Sequence, residues 1–252
     1  GSVFSTTTTW MFRAGPVVSL ATGLVAVLLV PLGGPTAPIS FPGDVVLLAY
    51  LLALARFFTA AAALDTGSAF EGMGAARELT FACFAEPAFF FGFLVLVRLT
   101  GSLTLADLLG ELSLAGTTSG AAVLLVLVSW FIVLLAENCR IPFDDPNTHL
   151  ELTMIHEVMV LDHGGPALGM ILWGAALKLF VFAALVVRLA LPQTGVGVVD
   201  WVFFLAGMGV LAAGVGAVES LMARLRLTLV PTLLVAATVL SGFGLVLLWS
   251  KP

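Results

Sequence analysis

Five acidic side chains stand where they could carry protons: Glu86, Glu137, Asp144, Glu151 and Glu157. Glu86 falls inside a long apolar run, and so do two cations, Arg56 and Lys178. Charges within such runs are expensive in a bilayer and face a protein interior or a water path. Arg56 lies nine residues before Asp65, and Glu86 nine residues after Arg77. In consecutive antiparallel helices both then sit about 13 Å below the same face, at 1.5 Å per residue, which puts them within reach of an ion pair. Lys178, twelve residues after Pro166, reaches comparable or greater depth. Pro87, directly after Glu86, frees a backbone carbonyl at that level. Carboxyls whose proton affinity is raised by burial and lowered by arginine or lysine are what a proton relay needs. A purely structural ion pair uses the same residues.

The densest polar stretch runs from Ala136 to Pro166 and holds all three histidines, His149, His156 and His163. Asp145 followed by Pro146 reads as a helix start, and Gly164-Gly165-Pro166 as a stop. The spacing predicts an amphipathic helix between them. Its polar face carries Asp145, His149, Thr153, His156 and Glu157, and its apolar face Leu150, Leu152, Met154, Ile155, Val158, Met159 and Leu161. Glu151 falls in the middle of the apolar face, where an unpaired charge is costly. It therefore reads either as a relay carboxyl or as a tie between the loop and a neighbour. His149 and His156 read as surface or subunit-contact residues, Asp144 and Asp145 as loop and cap residues, and no metal site is expected. Glu137 ends the preceding apolar run three residues before Arg140, so Glu86, Glu137, Glu151 and Glu157 supply carboxyls from mid-membrane to its edge.

The elements that must position these groups are membrane helices. Hydrophobic residues make up 60% of the 252, charged residues 10%, and the mean hydropathy is +1.15. Such a chain has too little polar surface to cover itself in water. Continuous apolar runs near 15–33, 44–63, 79–99, 121–137, 167–190, 199–218 and 227–249 predict an all-α polytopic membrane protein with seven spans, a single domain over 1–252. Residues 138–165 form its loop and amphipathic helix. The run from Leu64 to Glu78 reads as a tight, ordered connection, and Asp107 with Glu111 as part of a short surface helix. Neither an internal repeat nor a cleavable leader pattern is visible. Arg13, Arg77, Arg140, Arg224 and Arg226 gather on one side, against Arg98, Arg188 and Lys251 on the other. The positive-inside rule puts the first group, and with it the 138–165 loop, on the cytoplasmic side or the equivalent face. The net charge of −5 comes largely from the central segments, and nothing forms a basic patch for nucleic acid. Cys83 and Cys139 are isolated, so this chain is expected to ligate neither an iron–sulfur cluster nor structural zinc.

The stretch Ala136-Glu137-x-x-Arg140-x-Pro142-Phe143-Asp144 followed by Glu151-Leu152 resembles the signature loop of the complex I subunit 1 family, the membrane heel subunit of NADH:quinone oxidoreductase and its hydrogenase relatives. The continuation DDPNTHLELTMIHEVMVLD looks more like the branch found in energy-converting membrane-bound [NiFe] hydrogenases and formate hydrogenlyase-type complexes. The segment Asp65 to Glu78 resembles that branch too. The quinone-linked branch more often continues with an acid-rich run and a Glu-Tyr-Ser-Gly element, which is absent here. The resemblance implies eight spans. Seven are counted, so the family's first span and the basic loop after it are expected to lie outside this sequence.

By that resemblance the family's loop acids carry over to Glu137, Asp144 and Glu151. Glu157 matches the hydrogenase branch, while Glu86 and Arg77 match in context. Arg56, Arg77, Arg140 and Lys178 are the charge partners. The implied role is a membrane anchor and coupling subunit with no redox centre of its own, linking electron transfer in a hydrophilic arm to H⁺ or Na⁺ translocation. Iron–sulfur clusters and a NiFe centre are expected in hydrophilic hydrogenase-like partners, and antiporter-like membrane subunits beside it. Three alternatives stand: a subunit forming part of a quinone cavity, a stand-alone transporter (against which the missing repeat counts), and a non-conducting anchor.

Overall fold

The computed structural model of the chain describes residues 8–110, 117–144, 155–191 and 193–249, with 117–119 as backbone. Among these residues the regular structure is helical, and seven helices are long and apolar enough to cross a membrane. They are α1 (Trp10–Leu29), α2 (Asp44–Asp65), α3 (Ala69–Thr100), α5 (Thr117–Glu137), α6 (Gly165–Ala190), α7 (Gly197–Leu221) and α8 (Val230–Trp249). Each overlaps the run that predicted it. Between α3 and α5 lies a short helix, α4 (Leu105–Gly110).

Two helix groups meet at α5 and α6. The first is α1, packed on α2 and α6; the second is α3, packed on α8 and α5. Where they meet, Phe89 and Phe93 of α3, Trp130 of α5 and Phe182 of α6 form an aromatic knot with ring centroids 4.7–5.4 Å apart. Gly92 makes room for it: a Cβ there would stand 2.1 Å from Trp130 Nε1. Small residues at such crossings let membrane helices approach closely, where dispersion rather than water exclusion drives association.

Three sequence expectations change. The connection between α2 and α3 is only Thr66 to Ser68, because the polar residues from Ala69 to Glu78 are already helical. That lengthens α3 to 32 residues and stands Glu78 on the same helix as Glu86. The helix α4 exposes Asp107 as expected but is anchored on its other side: Leu105, Leu108 and Leu109 are buried, and the Leu105 amide donates to buried Asp44 at 2.7 Å. Glu111 lies outside the described residues.

The predicted amphipathic helix is corrected over its described part only. Residues 145–154, including Asp145, His149 and Glu151, lie outside the described residues, and the chain beyond them forms a single 3₁₀ turn, Glu157–Val160. Val158, Met159 and Val160 are consecutive and all buried, so the turn is enclosed by protein on several sides rather than laid with one face on the bundle. The tight turn aims them against α2, α3 and α6, in a small core with Ala60, Ala63, Ala75 and Ile171. Val158 fills the notch left by Gly74, where an added Cβ would stand 2.3 Å from its Cγ1. Leu161, assigned to the apolar face, is exposed.

Candidate functional site

Arg56 extends from α2 into the space between α3, α5 and α6, and three carboxylates surround its guanidinium. Nη1 donates to Glu86, as the equal-depth argument required. Nη2 donates to both oxygens of Glu137, at 2.7 and 2.6 Å, and Nε lies 3.8 Å from Glu78. From α6, Lys178 Nζ reaches Glu137 at 2.8 Å. The side chains of Arg56 and Glu137 are 8% and 5% exposed, while that of Glu86 is 44% exposed. Four helices therefore contribute to one array of two cations and three carboxylates. Desolvation makes such an array tenable only because each charge has a partner.

Two cavities meet at this array. The first, about 340 Å³, runs between α1, α2 and α6 toward the loop, and ends at Cys139, Arg140 and His156. Small and hydroxyl residues of α1 and α2, Ser19, Thr22, Gly23 and Thr59, interrupt its otherwise largely apolar wall. The second, about 300 Å³, lies between α2 and α3 on the other side of Arg56, with Tyr50, Glu86 and Phe90 along it. Arg56 and Glu137 border both.

At the loop end of the first cavity, Cys139 and His156 stand beside Glu78 and Arg140. Burial pushes the Cys139 thiol well above its ordinary value, and Glu78, whose carboxylate faces the sulfur at 3.9 Å, pushes the same way. Burial also holds the His156 imidazole below its usual value, against the opposing pull of Glu78. His156 thus lines the cavity rather than the outer surface on which its helix position placed it. Cys139 is held there by a left-handed backbone (φ 49°) in the turn that ends α5, where the Arg140 amide closes back onto the Leu135 carbonyl at 2.9 Å.

The remaining sequence candidates lie elsewhere. Asp144, buried, pairs with Arg224 Nη2 at 3.0 Å and accepts the Ile155 amide at 2.9 Å, so it closes the two ends of the 145–154 segment. Arg140 lies 3.5 Å from Glu219. Arg77 is half-buried on α3 next to Glu78, and Glu157 opens the 3₁₀ turn; neither borders either cavity. Sequence reasoning missed Glu78 and the Lys178–Glu137 pair. Glu78 carried a signal: eight residues before Glu86, it lies about 80° away on the same helix, so both can turn toward α2. The Lys178 pair had none, because its register depends on how α6 packs on α5.

A bundle of membrane-crossing helices that buries an arginine–glutamate–lysine array between two cavities defines a polytopic integral membrane protein built around intramembrane charge. The pattern of the NADH dehydrogenase family matches residues 2–249, and the chain belongs to that family. Among curated relatives, hydrogenase-4 component C of Escherichia coli is 37% identical over 182 residues, 72% of this chain and 56% of that protein. Formate hydrogenlyase subunit 4 of the same organism is 28% identical over 242 residues, 93% of this chain and 76% of that protein. The match thus spans little more than half of the first relative. Among solved structures, a chain of the archaeal membrane-bound sulfane sulfur reductase superposes with a TM-score of 0.82 at 19% identity, covering 98% of this chain and 83% of that one, which shows a shared fold. The resemblance carried by the signature loop therefore holds, and both curated relatives are named for hydrogenase-type systems.

Proposed function

We propose that this chain is the membrane anchor and coupling subunit of a multisubunit, redox-driven ion pump of the hydrogenase or formate hydrogenlyase kind. In this reading the signature loop faces the cytoplasm across a prokaryotic inner membrane and seats the hydrophilic hydrogenase-like arm. That arm carries the iron–sulfur and NiFe centres, and antiporter-like subunits lie alongside in the bilayer. One observation carries the reading: Arg56 and Glu137 form the partition between a cavity that opens toward the loop and a second cavity at mid-membrane. Glu137 accepts from both Arg56 and Lys178, so a change of charge at the loop end redistributes hydrogen bonds through the array to Glu86. Buried groups sharing partners in this way respond to one another strongly, because little solvent screens them.

The test is Glu137→Gln in the intact complex, with assembly, redox turnover and ion pumping measured together. The side chain keeps its volume and part of its hydrogen bonding. The expected result is an assembled, redox-active complex whose pumping per turnover falls at least tenfold. Unchanged pumping would reduce the array to a structural tie and leave a non-conducting anchor. A second reading rests on the first cavity itself. At about 340 Å³, with a mostly apolar wall and Arg56 and Lys178 at its base, it falls within the range of small-molecule sites and suits the head of a quinone. Quinone-dependent electron transfer by the purified complex, lost on Gly23→Leu, would favour it; hydrogen turnover without quinone would oppose it.

A further inference from the structure

His163 is a buried imidazole that the charge array does not use. It follows the 3₁₀ turn and stacks on Phe12 of α1, with ring centroids 4.0 Å apart and planes 21° from parallel. Nε2 stands 3.3 Å from the Phe12 carbonyl, which can only accept, so that nitrogen carries a hydrogen. In the neutral ring Nδ1 is then a bare acceptor, buried and without a hydrogen-bond partner among the described residues. A second proton can go only there. It would bring a charge into a buried site with nothing to receive its N–H.

The charged and titratable groups on the elements that meet at this turn are Arg13 of α1, Asp65 of α2, Glu71, Arg77 and Glu78 of α3, and His156, Glu157 and Asp162 of the same segment. From α6 there is none before Lys178. Asp65 accepts the amides of Thr9 and Phe12, Glu71 accepts the Asp162 amide at 3.0 Å, and Glu78 faces Arg56 and Cys139. Asp162, next in the chain, favours a proton on His163, but burial outweighs it and holds the imidazole below its ordinary value.

The turn has two anchors. At one, Val158 sits in the Gly74 notch of α3, a contact with nothing to titrate. At the other, the Asp162 amide is bound to Glu71 and His163 ties the segment to α1. The His163 amide donates to the Val160 carbonyl at 3.0 Å, so a movement at His163 is passed into the turn. Met159 lies between the anchors and lines the first cavity, as does His156 just before the turn. We propose that the 3₁₀ turn is a hinged lip of the first cavity, latched by His163 on Phe12 and released when the loop side turns acid. Protonation lifts the ring off its stack toward water while the Val158 anchor holds as the hinge. Met159 then leaves the cavity wall, and the loop end opens at Cys139. The latch is complete above the ordinary imidazole value of about 6.5 and is lost as pH falls below it. It rests on neither reading of the cavity, ion coupling or quinone binding.

The experiment uses the intact complex in its own membranes and follows alkylation of Cys139 by N-ethylmaleimide, with exposed Cys83 on α3 as the internal reference, by mass spectrometry. At each pH the rate in the wild type is divided by the rate in His163→Phe, which can stack but cannot take a proton. Ionisation of the thiol itself then cancels. The expected ratio at Cys139 is near unity at about pH 7.5 and rises about threefold at about pH 5.5, while the ratio at Cys83 stays near unity at both. If His163→Phe does not accumulate, His163→Gln takes its place. Adding His156→Gln to both proteins, which removes the other imidazole at the cavity, should leave the rise intact. A ratio at Cys139 that does not change with pH would overturn the proposal. So would an equal rise at Cys83, which marks general loosening, or loss of the rise with His156→Gln, which would move the sensor to His156.

Discussion

Arg56 and Arg224 each hold a buried carboxylate, and the two pairs do different work. Asp144, the partner of Arg224, spends its second oxygen on a backbone amide, Ile155 N, and joins the loop to the segment after α7. That pair fastens chain to chain. Glu137, the partner of Arg56, spends its oxygens on two side chains from two other helices and borders two cavities. Backbone partners cannot leave; side-chain partners can. The same chemical pairing thus acts as a rivet at the membrane edge and as a redistributable charge within it.

Arg56→Leu is expected to have the largest effect, because it strands Glu86 and Glu78 in low dielectric and leaves Glu137 to Lys178 alone. Breaking a buried pair by removing one partner costs about 3–5 kcal/mol. The expected outcome is a steep fall in the thermal midpoint of the detergent-solubilised protein; a near-normal midpoint would mean that water already solvates the array. Gly74→Val comes next. Its side chain would collide with Val158 and the Ile155 carbonyl, and overpacking of that sort costs about 1–3 kcal/mol. Protease cutting near 155–160 should rise several-fold, and unchanged cutting would show that the 3₁₀ turn is not held by that notch. Asp144→Ala should also cost about 1–3 kcal/mol, by orphaning the Ile155 amide and taking a carboxylate away from Arg224. Each complex that does assemble should still pump normally. A pumping defect per complex would erase the contrast between rivet and relay.

The smallest effect is a pH dependence at the loop. His163 is buried, stacked on Phe12 at 4.0 Å with Nε2 3.3 Å from the Phe12 carbonyl, and burial holds it below its ordinary value despite Asp162. The folded state therefore binds fewer protons than the unfolded one. Stability is full above the unfolded value of about 6.5 and declines as pH falls below it, by at most about 1.4 kcal/mol per pH unit. His163→Gln should flatten that decline between pH 7 and 5 in thermal melts. An equal slope in the variant would place the sensitivity elsewhere.

Much of this was legible in the chain. Apolar runs located the seven spans because a bilayer leaves few other ways to satisfy backbone groups. Equal distances from Asp65 and Arg77 put Arg56 beside Glu86, since helical rise converts residue counts into depth. Rotation and lateral packing were not legible. Glu137 reached Arg56 and Lys178 only once α5 and α6 were docked, a matter of side-chain shape rather than of period. Over its described part the amphipathic pattern misled: spacing of 155, 158 and 159 suits a helix, but the chain there forms a short turn enclosed by its neighbours, Val160 included, which periodicity does not show.

The ring of Trp130 seated on Gly92 acts as a key in a slot. Its indole donates to the Phe89 carbonyl at 3.3 Å, so it is fastened to the neighbouring helix as well as wedged against it. A helix keyed in this way cannot spin about its own axis, and a spin of about 100° would be needed to move each side chain to its neighbour's bearing. Glu86 stands six residues before the slot, and Glu137 seven residues after the key, on the two helices so locked. Their azimuths are therefore fixed against each other, and any movement of charge between them must be made by bond torsions of the side chains, within a frame that does not turn.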